Sequence, residues 1–164
     1  MKSPYKTPEQ LLPYKPLKEI LAAKSPGAYS VGPATTIYSS LQLMAEKGVG
    51  FLVVLEGEKL VGVFSERDYA RKVVLASKAS KDTPVREIMT QPVVYVTPNH
   101  TVPQCMTLMD QKGFRHLPVV EGNRVIGVLS IRDLLKEVVA HHERLIRDME
   151  LERITLLNPD PSSY

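Results

Sequence analysis

Residues 62–68 read GVFSERD, and 65 positions later residues 127–133 read GVLSIRD. A hydroxyl, a guanidinium and a carboxylate that recur in one order at one spacing are groups able to hold a ligand. Gly62 stands near the end of a valine-rich run, so Ser65 falls at a strand-to-helix junction and Arg67 and Asp68 fall in the first helical turn. Unpaired backbone N–H groups give a helix start about half a positive charge, and a serine hydroxyl and an arginine fork beside it suit a phosphate. Asp68 would repel a phosphate. Its two acceptor oxygens match instead the paired 2′ and 3′ hydroxyls of a ribose, and the three groups together fit a nucleotide. Helix capping alone would account for Ser65 as N-cap and Asp68 as N3 acid, with Arg67 merely solvated. Two features speak against capping alone. The glycine precedes the serine by three in both copies, where a ligand could approach the backbone, and the arginine recurs although a cap does not need it.

The elements that must position these groups are duplicated as well. Residues 36–74 align with residues 101–139 at a constant offset without a gap, and sixteen of the 39 positions agree. Upstream, PLKEIL at 16–21 echoes PVREIM at 84–89. Thr36 and Thr101 each precede apolar residues at helical spacing: Ile37, Leu41 and Met44, then Val102, Met106 and Met109. Thr101 with Gln104 matches a capping box, and Gly48 and Gly113 stand where a left-handed C-cap is wanted. After each glycine come two short valine- and leucine-rich runs joined by Glu-Gly-Glu or Glu-Gly-Asn, which predicts a tight hairpin. A second helix follows, with Tyr69, Ala70, Val73 and Val74 on one face, matched by Leu134, Leu135, Val138 and Val139. Each unit therefore reads strand, helix, strand, strand, helix, an α+β arrangement, with residues 75–83 as the linker. The expected divisions are an irregular proline-containing arm (1–15), repeat 1 (16–78), repeat 2 (79–140) and a helical extension and tail (141–164). In that extension Leu145, Ile146, Met149, Ile154 and Leu157 prolong an apolar stripe beyond the repeat, which predicts a covering second subunit.

Composition removes several classes of function. The 21 basic and 18 acidic residues leave a net charge of +3 with no run of five or six like charges, and a pI near 8.9 without an aromatic and basic face argues against nucleic acid. No apolar stretch is long enough for a membrane span and no signal peptide is recognisable, so a reducing cytoplasm is the expected home. The single Cys105 forms no internal disulfide and sits on a core-facing helix position. It has no local signature that would join it to His100, His116, His141 or His142 as a nucleophile and base, so no enzyme is expected. Adjacent His141 and His142 diverge by about 100° around a helix, so no metal site is expected and both read as surface residues.

The tandem units, each ending in Gly-x-x-Ser-x-Arg-Asp, resemble a CBS-domain pair over roughly residues 16–140, and the stretch from Phe64 to Thr90 is similar to stand-alone bacterial pairs and their organellar relatives. The resemblance implies two repeats packed about a pseudo-twofold axis, with two clefts that bind adenosine-containing ligands: AMP, ADP, ATP, NAD(H) or S-adenosylmethionine. It implies that Ser65 and Ser130 meet phosphate or ribose, Asp68 and Asp133 the ribose hydroxyls, and Arg67 and Arg132 the phosphates. Val53, Val54, Val119 and Val120 would cover the adenine, and Thr36 and Thr101 would touch the ligand from the loop before the first helix, with capping as their alternative role. Arg115, His116 and Pro118 replace Gly50, Phe51 and Val53 in the second copy. A basic side chain there reaches a phosphate in the family, so the two clefts are expected to differ. The expected protein is a cytoplasmic homodimeric sensor of adenine nucleotides that reports to an unidentified protein partner. The alternative is an interaction or dimerisation module whose clefts stay empty.

Overall fold

The computed structural model describes residues 13–24 and 27–157, so most of the expected N-terminal arm and the last residues of the tail lie outside the described residues. The chain runs α1 (Leu17–Ala22), β1 (Ser30–Val31), α2 (Ile37–Lys47), β2 (Phe51–Glu56), β3 (Lys59–Ser65) and α3 (Glu66–Asp68), which passes into a wider π-helical turn over Tyr69–Val74. A 3₁₀ turn at Val85–Glu87 leads to α4 (Val102–Lys112), β4 (His116–Glu121), β5 (Arg124–Ser130) and α5 (Ile131–Leu157). β2 lies between β1, its parallel neighbour, and β3, its antiparallel one; β4 pairs with β5, and the strand that would match β1 is reduced to a parallel bridge between Val96 and Val119.

Local chemistry sets these boundaries. Thr36 and Thr101 accept the N–H groups of Ser39 and Gln104, and Gly48 and Gly113 end α2 and α4 at φ values of 63° and 65°. Gly57 and Gly122 supply the positive φ that each two-residue hairpin turn requires. The expected apolar face after the first septet is only partly used, since Val73 is buried while Ala70 and Val74 are exposed. On α5, Leu134 is buried and Leu135 and Val139 are exposed. Among the described residues no helix is long and apolar enough to cross a membrane.

Two cores form, and each borrows a segment from the other half of the chain. Leu17 and Ile20 of α1 pack with Val96, Val102, Cys105, Leu117 and Leu129 of the second repeat. Val85 and Ile88, which follow the linker, pack with Ile37, Leu52, Val54 and Phe64 of the first. Burial of an aliphatic side chain of this size contributes about 1.5–3 kcal/mol, so separating the repeats would uncover four such residues. The equivalent residues Phe51 and His116 stack on one another with ring centroids 4.9 Å apart. A pair of symmetry-equivalent positions in contact lies on the pseudo-twofold axis.

Candidate functional site

Both septets end at this axis. Phe51 and His116 pair in register with Ser65 and Ser130, which fixes each serine at the mouth of its hairpin. The first helical N–H after each serine closes on the start of its own hairpin: Glu66 N to the Gly50 carbonyl (3.1 Å) and Ile131 N to the Arg115 carbonyl (2.9 Å). Each aspartate then folds back on its serine. Asp68 Oδ2 accepts Ser65 N (3.0 Å) and Ser65 Oγ (2.7 Å), while Asp68 N donates to Ser65 Oγ at 3.2 Å. Asp133 repeats the pattern with Ser130 at 2.7, 2.7 and 3.3 Å. The capping reading of these residues is thus satisfied in both copies.

Capping does not exhaust the site, because a borrowed segment meets each carboxylate. Thr90 Oγ1 donates to Asp68 Oδ1 at 2.9 Å, and Lys72 stands 2.8 Å from the same oxygen. Lys24 Nζ donates to Asp133 Oδ2 at 2.6 Å and to the Val128 carbonyl at 2.9 Å. Burial pushes both carboxyls up, but the bonds from Lys72, Ser65 and Thr90 at Asp68, and from Lys24 and Ser130 at Asp133, hold both below the ordinary range. His116 is held below the usual imidazole range, first by burial and then by the charge of Lys24, with Arg115 adding to it and Asp133 opposing. Each acid is largely buried, its side chain only 14% exposed.

The septet glycines have a packing role that differs from the expected backbone approach by a ligand. A Cβ on Gly62 would stand 2.3 Å from Met89 Sδ, and one on Gly127 would stand 2.8 Å from a methyl carbon of Leu21. Leu21 and Met89 hold equivalent places in the two echoed segments, so each glycine makes room for the borrowed piece of chain.

Other expected site residues are dispersed. Val53, Val54 and Val119 are fully buried and Val120 nearly so, because β2 and β4 are covered on both faces. Thr36 and Thr101 are caps. Arg67 crosses the seam to the Gly113 carbonyl at 3.0 Å, whereas Arg115 and Arg132 are exposed. His141 corrects the surface reading: it is 2% exposed and stacks on Tyr14 at 4.0 Å, because the chain before α1 lies across α5. Lys24, Lys72 and Thr90 were not anticipated. Lys72 follows Asp68 by four on a helix and was legible as an ion pair, but Lys24 lies 109 residues from Asp133 and has no local signal. Two surface cavities of about 610 and 950 Å³ lie elsewhere, beside α2 and at the hairpin tips, and no septet residue lines either.

The duplicated septet, the borrowed segments and the axis have a match among known proteins, for the sequence model of the CBS domain fits residues 17–75 and 85–140. The chain belongs to the CBS-domain family. Among solved CBS-domain proteins, one from Burkholderia ambifaria is 46% identical with a TM-score of 0.73, covering 77% of this chain and 95% of that one. Another, from Agrobacterium tumefaciens, is 32% identical with a TM-score of 0.70, covering 74% and 98%. A mitochondrial CBS domain-containing protein of Arabidopsis thaliana is 37% identical over 73% of this chain, which spans 58% of that relative's length. A CBS pair solved with 5′-methylthioadenosine and S-adenosylmethionine shares the fold with a TM-score of 0.65 at 23% identity. Among the described residues of this CBS pair, no group of three or more potential metal ligands occurs.

Proposed function

We propose that this CBS pair is a non-catalytic cytoplasmic sensor that binds an adenosine-containing ligand at the seam between its repeats and reports the ligand's level through a change in their relative orientation. One observation carries the proposal: each septet carboxylate is held by its own serine and also touches a borrowed segment, Thr90 at Asp68 and Lys24 at Asp133. A ligand seated there engages both repeats at once, so it favours one arrangement by its differential affinity for it. In this reading a septet aspartate, Asp68 or Asp133, holds the ribose hydroxyls, and the serine and arginine of the same septet meet phosphate. The ligand class is AMP, ADP, ATP, NAD(H) or S-adenosylmethionine.

The route outward is α5. Its first turn carries Arg132 and Asp133, and its 27 residues extend about 40 Å to Ile146, Met149, Ile154 and Leu157, all more than half exposed. That stripe favours a homodimer, or an unidentified protein partner, as the element that reads the change. The test is a thermal-shift panel with AMP, ADP, ATP, NADH and S-adenosylmethionine, paired with native mass spectrometry. A ligand at about 100 times its Kd adds roughly 2.7 kcal/mol, a clear rise in melting temperature. No shift with any of the five, and subunits that carry no nucleotide, would replace the sensor with a pure interaction module.

A further inference from the structure

The two seams are chemically unequal, and the inequality appears in how many donors and acceptors remain. A carboxylate offers about four acceptor positions and an ammonium three protons. At the first seam both are used. Asp68 Oδ2 takes Ser65 N and Oγ, and Oδ1 takes Thr90 and Lys72. The three Lys72 protons go to Asp68, to the Ile88 carbonyl at 3.0 Å and to Thr90 Oγ1 at 2.9 Å. Arg67 is tethered to the Gly113 carbonyl.

At the second seam the same groups are left half-open. All three bonds to Asp133 end on Oδ2, and Oδ1 accepts none from the described residues. Lys24 uses two protons, on Asp133 and the Val128 carbonyl, and has a third to give. Arg132 is exposed and forms no hydrogen bond to the described residues, and Arg115 stands where the first repeat has Gly50. A ribose hydroxyl can therefore reach Asp133 Oδ1 without breaking a bond to the described residues, beside the Lys24 ammonium and with the charge of Arg115 acting on neighbouring His116. At the first seam a ligand must first break bonds between buried and half-buried protein groups, which costs it affinity.

We infer that the Asp133 seam is the receptive one, that it takes a phosphorylated adenosine, and that Lys24 is the residue selecting for the phosphate, while the Asp68 seam is closed by its own side chains. This rests on the nucleotide-sensing function proposed above and adds which seam and which ligand charge. A neutral nucleoside or a sulfonium ligand gains nothing from the Lys24 ammonium.

Isothermal titration of the full chain with ATP and with adenosine tests it. The expected result is one ATP site per chain, with adenosine weaker by about tenfold or more for want of charge-assisted phosphate contacts. Lys24→Met should weaken ATP by about tenfold while moving adenosine less than about twofold. Asp133→Asn should weaken both ligands by about tenfold, because it removes the acceptor for the ribose hydroxyls. The double variant Lys72→Met/Thr90→Val should expose a second, weaker site. Thermal melts of each variant separate a lost site from a lost fold. Two equal ATP sites, equal affinity for ATP and adenosine, or unchanged ATP binding in Asp133→Asn would overturn this inference and leave the sensor function standing. No binding of any adenosine compound would overturn both.

Discussion

Substituting Gly62 by alanine separates the two roles open to the septet glycine, room for a ligand or room for the borrowed segment. The added Cβ would lie 2.3 Å from Met89 Sδ, 2.8 Å from its Cγ and 3.1 Å from its Cβ. Comfortable contacts of this kind lie near 3.5–4.0 Å, so the thioether must retreat by roughly an ångström or more. The sulfur can swing aside, but the Met89 Cβ is fixed to a backbone that the Val63–Thr90 bridge holds in place. Overpacking of this order costs about 1–3 kcal/mol. For a chain of this size that lowers the melting temperature by roughly 2–4 °C per kcal/mol. Urea melts of Gly62→Ala, Met89→Ala and the double variant measure it. Shortening Met89 removes the obstacle, so the second substitution should recover part of the loss, with a coupling of about 0.5–3 kcal/mol. Gly127→Ala against the more flexible end of Leu21 should cost less. If Gly62→Ala stays within about 0.5 kcal/mol of the parent, or costs as much when Met89 is alanine, the packing role is refuted. Unchanged stability with lost nucleotide binding would instead restore the glycine as a ligand's approach.

Removing a helix cap should act locally: Thr101→Ala should cost about 1 kcal/mol in chemical denaturation, since it deletes the hydroxyl that accepts the Gln104 N–H while the backbone N–H of residue 101 still donates to Gln104 Oε1. Both septet carboxyls titrate lower in the folded chain than their ordinary value, so the unfolded chain takes up protons first and the stability they contribute is lost as pH falls through the folded values. Asp68→Asn should accordingly flatten the loss of stability below about pH 4 in acid melts, and an unaltered slope would contradict the bonding described. His116 is held neutral below its usual value of 6.5, so acidification through that value costs stability; His116→Phe, which restores the residue type of Phe51, should remove that part of the pH dependence in thermal scans from pH 7 to about 5. The double substitution Ile146→Glu/Met149→Glu should reduce the molecular mass seen in sedimentation to that of one chain without lowering the melting temperature of the repeats, and a persisting dimer would exclude this stretch of α5 as the interface.

Much of the chain was decided by short-range rules, and those parts were legible. A constant spacing between two copies, threonine and glycine at helix ends, and glycine at a two-residue turn each act within four residues of themselves, so α2, α4 and both hairpins follow directly from the sequence. The Ser-x-x-Asp box is equally local, and its capping geometry is the same in both repeats. What the sequence could not disclose is which piece of chain each repeat borrows. Residues 16–21 and 84–89 echo one another and are about as apolar, so either could have completed either core. Only the assembled molecule places Leu17 and Ile20 in the second core and Val85 and Ile88 in the first. That exchange sets Thr90 against Asp68, Lys24 against Asp133 and Tyr14 near His141. These pairings depend on the closure of whole layers, whose energy is summed over two cores, and no side chain's own neighbours along the chain encode it.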